Sequence, residues 1–330
     1  MASTSSASSD TDVNAAIQWL AEQRKRPIRK SFEIVQRGEL VIEKGGLNKL
    51  GDELWSFLEQ VGMAAMDLGK WELAELCTSR LHSRFPDSAR VACLQGMLME
   101  AHGEPSKALE YYESELAKDE TSIVLSKRLI SVIRSLPRSH PKGGPEKAID
   151  ALVKHLDTFY NDPEGWQELA EIYAELGMYN QSIFALEELM LLTPQNSFYV
   201  LQYAETLYTA GEVDKAYKAY LRVLEMCGEV TKSQLRSKSK HQKTQVEALE
   251  QDGPGPWLRA LWGLKLCTTH LLSSKPSTST SKEEIRAEKV ESIDELVTKL
   301  LLQTAYSPDL DASTKDLRDS VRNVLSVSST

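Results

Sequence analysis

Gly69 and Gly103 stand 34 residues apart, as do Ala74 and Ala108, Gly177 and Gly211, and Ser182 and Ala216. A fixed period of this length constrains a fold more than composition does. Each period must be one supersecondary unit that buries its apolar face only against its neighbours. The clearest copy begins at Asp162 and Pro163. It runs through Trp166, Leu169, Ala170, Tyr173, Gly177, Tyr179, Ser182, Leu186 and Leu189 and ends at Pro194.

These offsets have a physical cause. Trp166, Leu169, Ala170 and Tyr173 fall at i, i+3, i+4 and i+7, one stripe of a helix. Gly177 ends that helix where a left-handed backbone is least strained. Ser182, Leu186 and Leu189 form the facing stripe of a second helix, and Pro194 stops it. The small side chains at Ala170 and Ser182 let the two helices approach. The pattern is that of the tetratricopeptide repeat, W-x-x-L-G/A-x-x-Y followed by a turn glycine, a small residue, a large one and proline. It predicts an all-α fold, a right-handed α-solenoid of such repeats with extra N- and C-terminal helices.

The lattice extends in both directions. Repeats are expected at 55–88 (Gly62, Gly69, Ala74, Leu81), 89–122 (Gly96, Gly103, Ala108, Tyr112), 123–162, 163–196 and 197–230. The third is irregular: Ala148 follows Ala108 by 40 residues, and the extra six sit in a Pro/Gly-rich loop at 135–145. Outside the array at 55–230, the expected order starts with a disordered tail at 1–12 and N-terminal helices within 13–54, at 13–24 and 31–44. After it come a flexible insertion at 231–256, a helix of a degenerate sixth repeat at 257–272, a linker at 273–281, and C-terminal helices within 282–330, the first at 282–305.

Charge and motif content narrow the function. The formal charge of −9 argues, in bulk, against nucleic acid or an anionic membrane as a partner. The run Leu189 to Leu192 falls far short of the ~20 apolar residues of a spanning helix. The start MASTSSASSD has neither a basic nor an apolar stretch, so no secretory signal is expected and the chain is placed on the cytosolic side. Cys77, Cys93, Cys227 and Cys267 are widely spaced, which suits buried thiols in a reducing compartment. The histidines form no HxxxH or HExxH pair, so no metal site is expected. Gly46 and Gly51 have phosphate-loop spacing, but Asp52 and Glu53 stand where lysine and a hydroxyl belong. The expectation is a non-enzyme without cofactors.

Binding then falls to the concave face of the array, which the register assigns to the first helix of each repeat. The candidates are Glu164, Gln167 and Glu171; Phe198, Leu201, Glu205 and Tyr208; Arg90 and Met97; and Lys127 and Arg134. The same register adds Glu59, Met63, Met66 and Cys93. Mixed apolar patches and both charge signs suit an extended peptide, although Phe198 and Tyr208 could equally pack on neighbouring repeats. A chaperone-type carboxylate clamp would need lysine and asparagine where Glu59, Met63, Gln167 and Glu171 stand. Negative charge there opposes a carboxylate.

The basic run Arg24 to Lys30 could attract anionic headgroups or pass for a nuclear signal, against the plainer reading of a solvated helix end. The run from Arg236 to Lys243 reads as a mobile loop with possible headgroup proximity. Asn180-Gln181-Ser182 matches a glycosylation sequon, but Ser182 is needed as a small packing residue, so the match is read as chance.

The run from Lys49 to Cys77 (KLGDELWSFLEQVGMAAMDLGKWELAELC), with Arg84-Phe85-Pro86 and Gly96-Met97, resembles the family of the second subunit of the ER membrane protein complex. So do Gly165 to Met190 (GWQELAEIYAELGMYNQSIFALEELM), Gln202 to Glu205 and Arg259 to Leu264 (RALWGL). The resemblance covers about 30–270 and includes residues that repeat geometry does not demand. It implies a peripheral scaffold subunit on the cytosolic face of the ER membrane. Its partners would be the cytosolic tails of membrane-embedded subunits and a soluble cytosolic subunit. The implied task is to support insertion of tail-anchored and multi-pass membrane proteins. The alternative is a soluble cytosolic repeat adaptor or co-chaperone.

Overall fold

A computed structural model describes residues 4–26, 28–237, 255–273, 281–302, 306 and 315–327. Among these the secondary structure is helical, without strands, and the chain divides into two compact units, residues 1–159 and 160–330.

Unit 1 opens with α1 (Thr4–Arg24) and α2 (Ser31–Glu43). Two 3-10 turns, Gly46–Lys49 and Gly51–Glu53, lead into the repeats. Three helix pairs follow: α3 (Leu54–Asp67) with α4 (Trp71–Arg84), α5 (Ala89–Ala101) with α6 (Pro105–Leu116), and α7 (Ile123–Ser135) with α8 (Pro145–Thr158). Unit 2 holds two more pairs, α9 (Pro163–Glu175) with α10 (Tyr179–Leu192) and α11 (Ser197–Thr209) with α12 (Val213–Ser237). It ends with α13 (Pro256–Ser273), α14 (Ser281–Leu300) and α15 (Lys315–Val327). Each pair is one expected repeat, so the helix-pair stacking of an α-solenoid is present within each unit.

Local chemistry starts and stops these helices as the period demands. Pro105, Pro145 and Pro163 open α6, α8 and α9, where a missing N–H leaves nothing unsatisfied. The Asn196 side chain caps α11 by accepting from the Phe198 amide at 3.0 Å. Gly177 (φ +72°) and Gly211 (φ +85°) turn the chain between paired helices in the left-handed conformation. The next amide in each case donates back across the turn, Met178 to the Tyr173 carbonyl (2.8 Å) and Glu212 to that of Leu207 (2.9 Å).

The small position of the second helix is filled by Ala74, Ala108, Ala148, Ser182 and Ala216, each at most 1% exposed. The Ser182 hydroxyl donates to the Ala170 carbonyl at 2.8 Å, so a polar atom at the tightest point of its repeat finds a partner on the facing helix. In the irregular third repeat, buried His155 of α8 places Nδ1 2.8 Å from the Ser126 hydroxyl of α7.

Two apolar cores result. That of unit 1 gathers Leu20, Val35, Val41, Phe57, Leu58 and Val61 with Ala74 and Cys77, so α1 and α2 are built into the first repeat. That of unit 2 joins Leu201, Ala204, Tyr220 and Val223 to Leu261, Leu264 and Cys267 of α13, Val297 of α14, and Val321 and Leu325 of α15. A buried ion pair fastens α14 to α13. Lys265 Nζ, with 5% of its side chain exposed, lies 2.7 Å from Asp294 Oδ2 and donates to Thr298 Oγ1 at 3.1 Å. Thr268 Oγ1 donates to the other Asp294 oxygen at 2.6 Å.

Several boundaries differ from expectation. α1 starts at Thr4, inside the stretch read as a disordered tail. α12 continues to Ser237, past the expected insertion boundary at 231, while residues 238–254 of that insertion and 274–280 of the linker lie outside the described residues. The helix expected at 282–305 is α14, which ends at Leu300, and residues 303–305 are likewise outside.

Candidate partner-binding site

In unit 1 the first helices of the repeats contribute to an open cleft of about 570 Å³. The register-derived residues Glu59, Met63, Arg90 and Met97 all line it. Arg90 Nε of α5 donates to Glu59 Oε1 of α3 at 2.5 Å, with the arginine side chain 73% exposed and the glutamate 18%. Met63 and Met97 are half-buried and pack partly against the core, so they supply an apolar floor beside that ion pair. Lys127 and Arg134 are half-buried on α7 and are not among the residues lining the cleft.

The opposite wall was not foreseen from the register. It comes from the basic connection between α1 and α2, which contributes Arg24, Arg26, Ile28 and Arg29. Arg24 donates to Glu53 at 2.7 Å and to Gln60 at 3.0 Å. Arg29 makes a two-pronged pair with Asp67, at 2.8 and 2.6 Å. The sequence held the signal, a basic run followed by acids at 53 and 67. Pairing across 29 to 38 residues, however, is set by tertiary packing and not by local pattern.

Unit 1 also holds a second network that sequence reasoning missed. The Tyr112 hydroxyl donates to Glu100 at 2.8 Å and has the Cys93 carbonyl at 3.2 Å. Arg128 of α7 grips Glu100 through two bonds of 2.8 Å. Burial, followed by the neighbouring Glu100 carboxylate, pushes the Tyr112 phenol far above its ordinary value. This network joins the second and third repeats in a fixed register.

In unit 2 the expected residues separate into three kinds. Glu164 is exposed, Phe198 is 56% exposed, and Gln167 and Glu171 are half-buried, with Gln167 Nε2 donating to Glu171 Oε1 at 3.0 Å. Glu205 is committed to the fold: Arg259 of α13 holds it through bonds of 3.1 and 2.7 Å. Tyr208 is half-buried against the unit 2 core. Leu201 corrects the register reading. It is 1% exposed within that core, because α13 closes over α11 and α12 and claims the apolar side chain. Met66 and Cys93 of unit 1 are likewise buried.

Three of the four thiols, Cys77, Cys93 and Cys267, are buried, and Cys227 is half-buried. Burial pushes Cys77 up to about 11 and Cys267 up to about 12, so both stay protonated at neutral pH. Among the described residues no group of three or more His, Cys, Asp or Glu side chains is placed to hold a metal ion. Nor, among them, is any helix long and apolar enough to cross a membrane. What these faces present is apolar side chains flanked by charges already fixed in ion pairs.

Comparison with known proteins gives a consistent result. The sequence model described as the EMC2 TPR-like repeat domain matches residues 65–226. ER membrane protein complex subunit 2-A of Xenopus laevis is 32% identical over 261 residues, covering 79% of this chain and 77% of its own length. The TPR repeat protein oca3 of Schizosaccharomyces pombe is 35% identical over 188 residues, covering 56% of this chain and 64% of its own. ER membrane protein complex subunit 2 of Saccharomyces cerevisiae is 26% identical over 167 residues, covering 46% and 57%.

Proposed function

This chain belongs to the family of ER membrane protein complex subunit 2, and from that premise we propose that it is a non-enzymatic scaffold subunit of that complex. In this reading it sits on the cytosolic face of the ER membrane as a peripheral protein. It binds cytosolic segments of the membrane-embedded subunits and a soluble cytosolic subunit. It thereby supports insertion of tail-anchored and multi-pass membrane proteins.

The observation that carries the reading is the unit 1 cleft, where Glu59, Met63, Arg90 and Met97 come together from two consecutive repeats. Adjacent repeats reading one extended segment is how such arrays gain specificity: each contributes one or two side-chain contacts on a rigid frame. The co-chaperone alternative has weaker support. Glu59 is paired with Arg90 and Glu171 accepts from Gln167, so two of the four positions that would hold a terminal carboxylate carry negative charge.

The test is a tagged pull-down from membranes in mild detergent, with the co-purifying chains identified by mass spectrometry. A stoichiometric set of multi-spanning ER proteins, released only by denaturation, is the expected result. Recovery in the high-speed supernatant together with heat-shock chaperones would replace the scaffold with a soluble adaptor.

A further inference from the structure

We infer that the connection between α1 and α2 is a contact site for an anionic phospholipid surface, in which the cations Lys25, Arg26, Arg29 and Lys30 share one short stretch of chain with the exposed apolar side chains of Ile28 and Phe32. Arg26, Ile28 and Arg29 also wall the unit 1 cleft, but the inference concerns direct contact of this chain alone with lipid, so its test is separate from that of the scaffold reading.

The first support is that the connection is held in place. The carboxamide of Gln23, itself 6% exposed, donates to the Ile28 carbonyl at 2.5 Å. The Lys25 and Arg26 amides close a turn on the Glu22 and Gln23 carbonyls, at 3.1 and 3.0 Å. Arg24 is tied to Glu53 and Arg29 to Asp67. A merely solvated helix end has no need of anchors on the 3-10 turn at Gly51–Glu53 and on α3. A surface held in one geometry loses less conformational freedom when it binds.

The second support is what the anchored connection presents. Lys25 and Arg26 are exposed, and two paired cations stay open to solvent: the Arg29 side chain is 69% exposed beside Asp67, and that of Lys30 is 42% exposed, 3.6 Å from Glu33. Between and beside them Ile28 is 58% exposed and Phe32 is 71% exposed. The whole chain carries a net charge of −9, so this local cationic surface runs against the bulk balance. Cations or apolar side chains alone give only marginal adhesion to a bilayer, whereas the two together give reversible binding. A nucleic acid, or a peptide of acidic residues alone, would satisfy the cations and leave Ile28 and Phe32 in water. The headgroup–acyl boundary satisfies both, which favours a bilayer.

The test is flotation of the purified full chain with vesicles of phosphatidylcholine alone, or with about 30% phosphatidylserine. The expected result is recovery with the anionic vesicles only, lost at high salt as the charges are screened. Reversing two cations (K25E/R26E) should lower the bound fraction at least about tenfold, and I28S/F32S should lower it as well. The same charge change elsewhere, at exposed Lys107 and Lys118 (K107E/K118E), should leave binding intact, and all these sites are exposed enough for the variants to fold. Equal recovery on neutral vesicles, no recovery on either, or equal loss in K107E/K118E would overturn the inference. So would full anionic binding by I28S/F32S that a soluble RNA competes away, which would mark a general polyanion site.

Discussion

The ring of Tyr112 occupies the space that a side chain on Gly96 would need: a Cβ built at Gly96 would lie 2.2 Å from the Tyr112 ring carbons. Tyr112 is fully buried and its hydroxyl is held by Glu100, so the ring has nowhere to move. Two effects then oppose each other in Gly96→Ala. Alanine gains up to about 1 kcal/mol in helix propensity, while overpacking costs about 1–3 kcal/mol. The clash should win, lowering stability by roughly 1–2 kcal/mol in urea unfolding. G96A combined with Tyr112→Phe should recover little, because the ring remains.

Unit 2 contains the same device at another interface. Tyr220 stands four residues after the small residue Ala216, as Tyr112 does after Ala108, and a Cβ on Gly263 would lie 2.2 Å from its ring. Gly263→Ala should therefore loosen α13 from α12 and raise protease sensitivity in the C-terminal helices. Equal proteolysis of variant and parent would contradict this.

Gly177 presents the opposite case. Nothing lies within 4 Å of a Cβ there, so substitution is judged by its φ of +72° alone. Gly177→Val forces a β-branched residue into the left-handed region and should cost more than ~1 kcal/mol, with a lower melting temperature. Gly177→Asn should be milder, since asparagine tolerates that conformation best. If valine and asparagine behaved alike, backbone strain would not be the cause.

The contrast between these glycines explains what the sequence made legible. Gly177 was identified by its period, because a turn glycine repeats wherever a helix pair closes. Gly96 fell on the lattice as well, but its partner Tyr112 sits on the facing helix, and only packing reveals that the two share one volume. The same division runs through the proposed binding face. Glu59, Met63, Arg90 and Met97 follow from repeat register. The basic wall opposite them depends on α1 and α2 folding back onto α3, as in the Arg29–Asp67 pair across 38 residues. Leu201 was misjudged because register alone cannot tell that α13, which follows residues 238–254, returns to cover α11.

Lys265 should show the asymmetry of buried charge. Its ammonium and the Asp294 carboxylate are withdrawn from water together, at 5% and 20% side-chain exposure. Lys265→Met leaves Asp294 with Thr268 alone and should destabilise by about 3–5 kcal/mol. The double variant K265M/D294L removes both charges and should regain most of that loss. Calorimetry on the two variants decides it, and a double variant no better than the single would show that the hydroxyl contacts dominate.

Thiol chemistry offers a check on burial that is independent of stability. With Cys77 and Cys267 pushed up to about 11 and about 12, very little thiolate exists at neutral pH, and Cys93 is also raised by burial. An aromatic disulfide reagent should modify half-buried Cys227 first and the other three only slowly, whereas all four should react at once in denaturant. Rapid native labelling of Cys77 would mean that α3 and α4 open far more readily than their packing implies.

The proposed binding faces of the two units can be tested separately. Arg90→Glu replaces the Glu59–Arg90 pair by two like charges and inverts one side of the unit 1 cleft, yet Arg90 is exposed enough that stability should change by no more than about 0.5 kcal/mol. Phe198→Ser removes an exposed aromatic ring from α11 of unit 2, again with little effect on the core. If partner segments are read by the cleft, R90E should deplete co-purifying membrane subunits at an unchanged melting temperature, and F198S should deplete a different subset. Full recovery of every partner by both variants would remove the faces from the mechanism while leaving membership of the family intact, because membership rests on sequence similarity across 79% of the chain and not on either face.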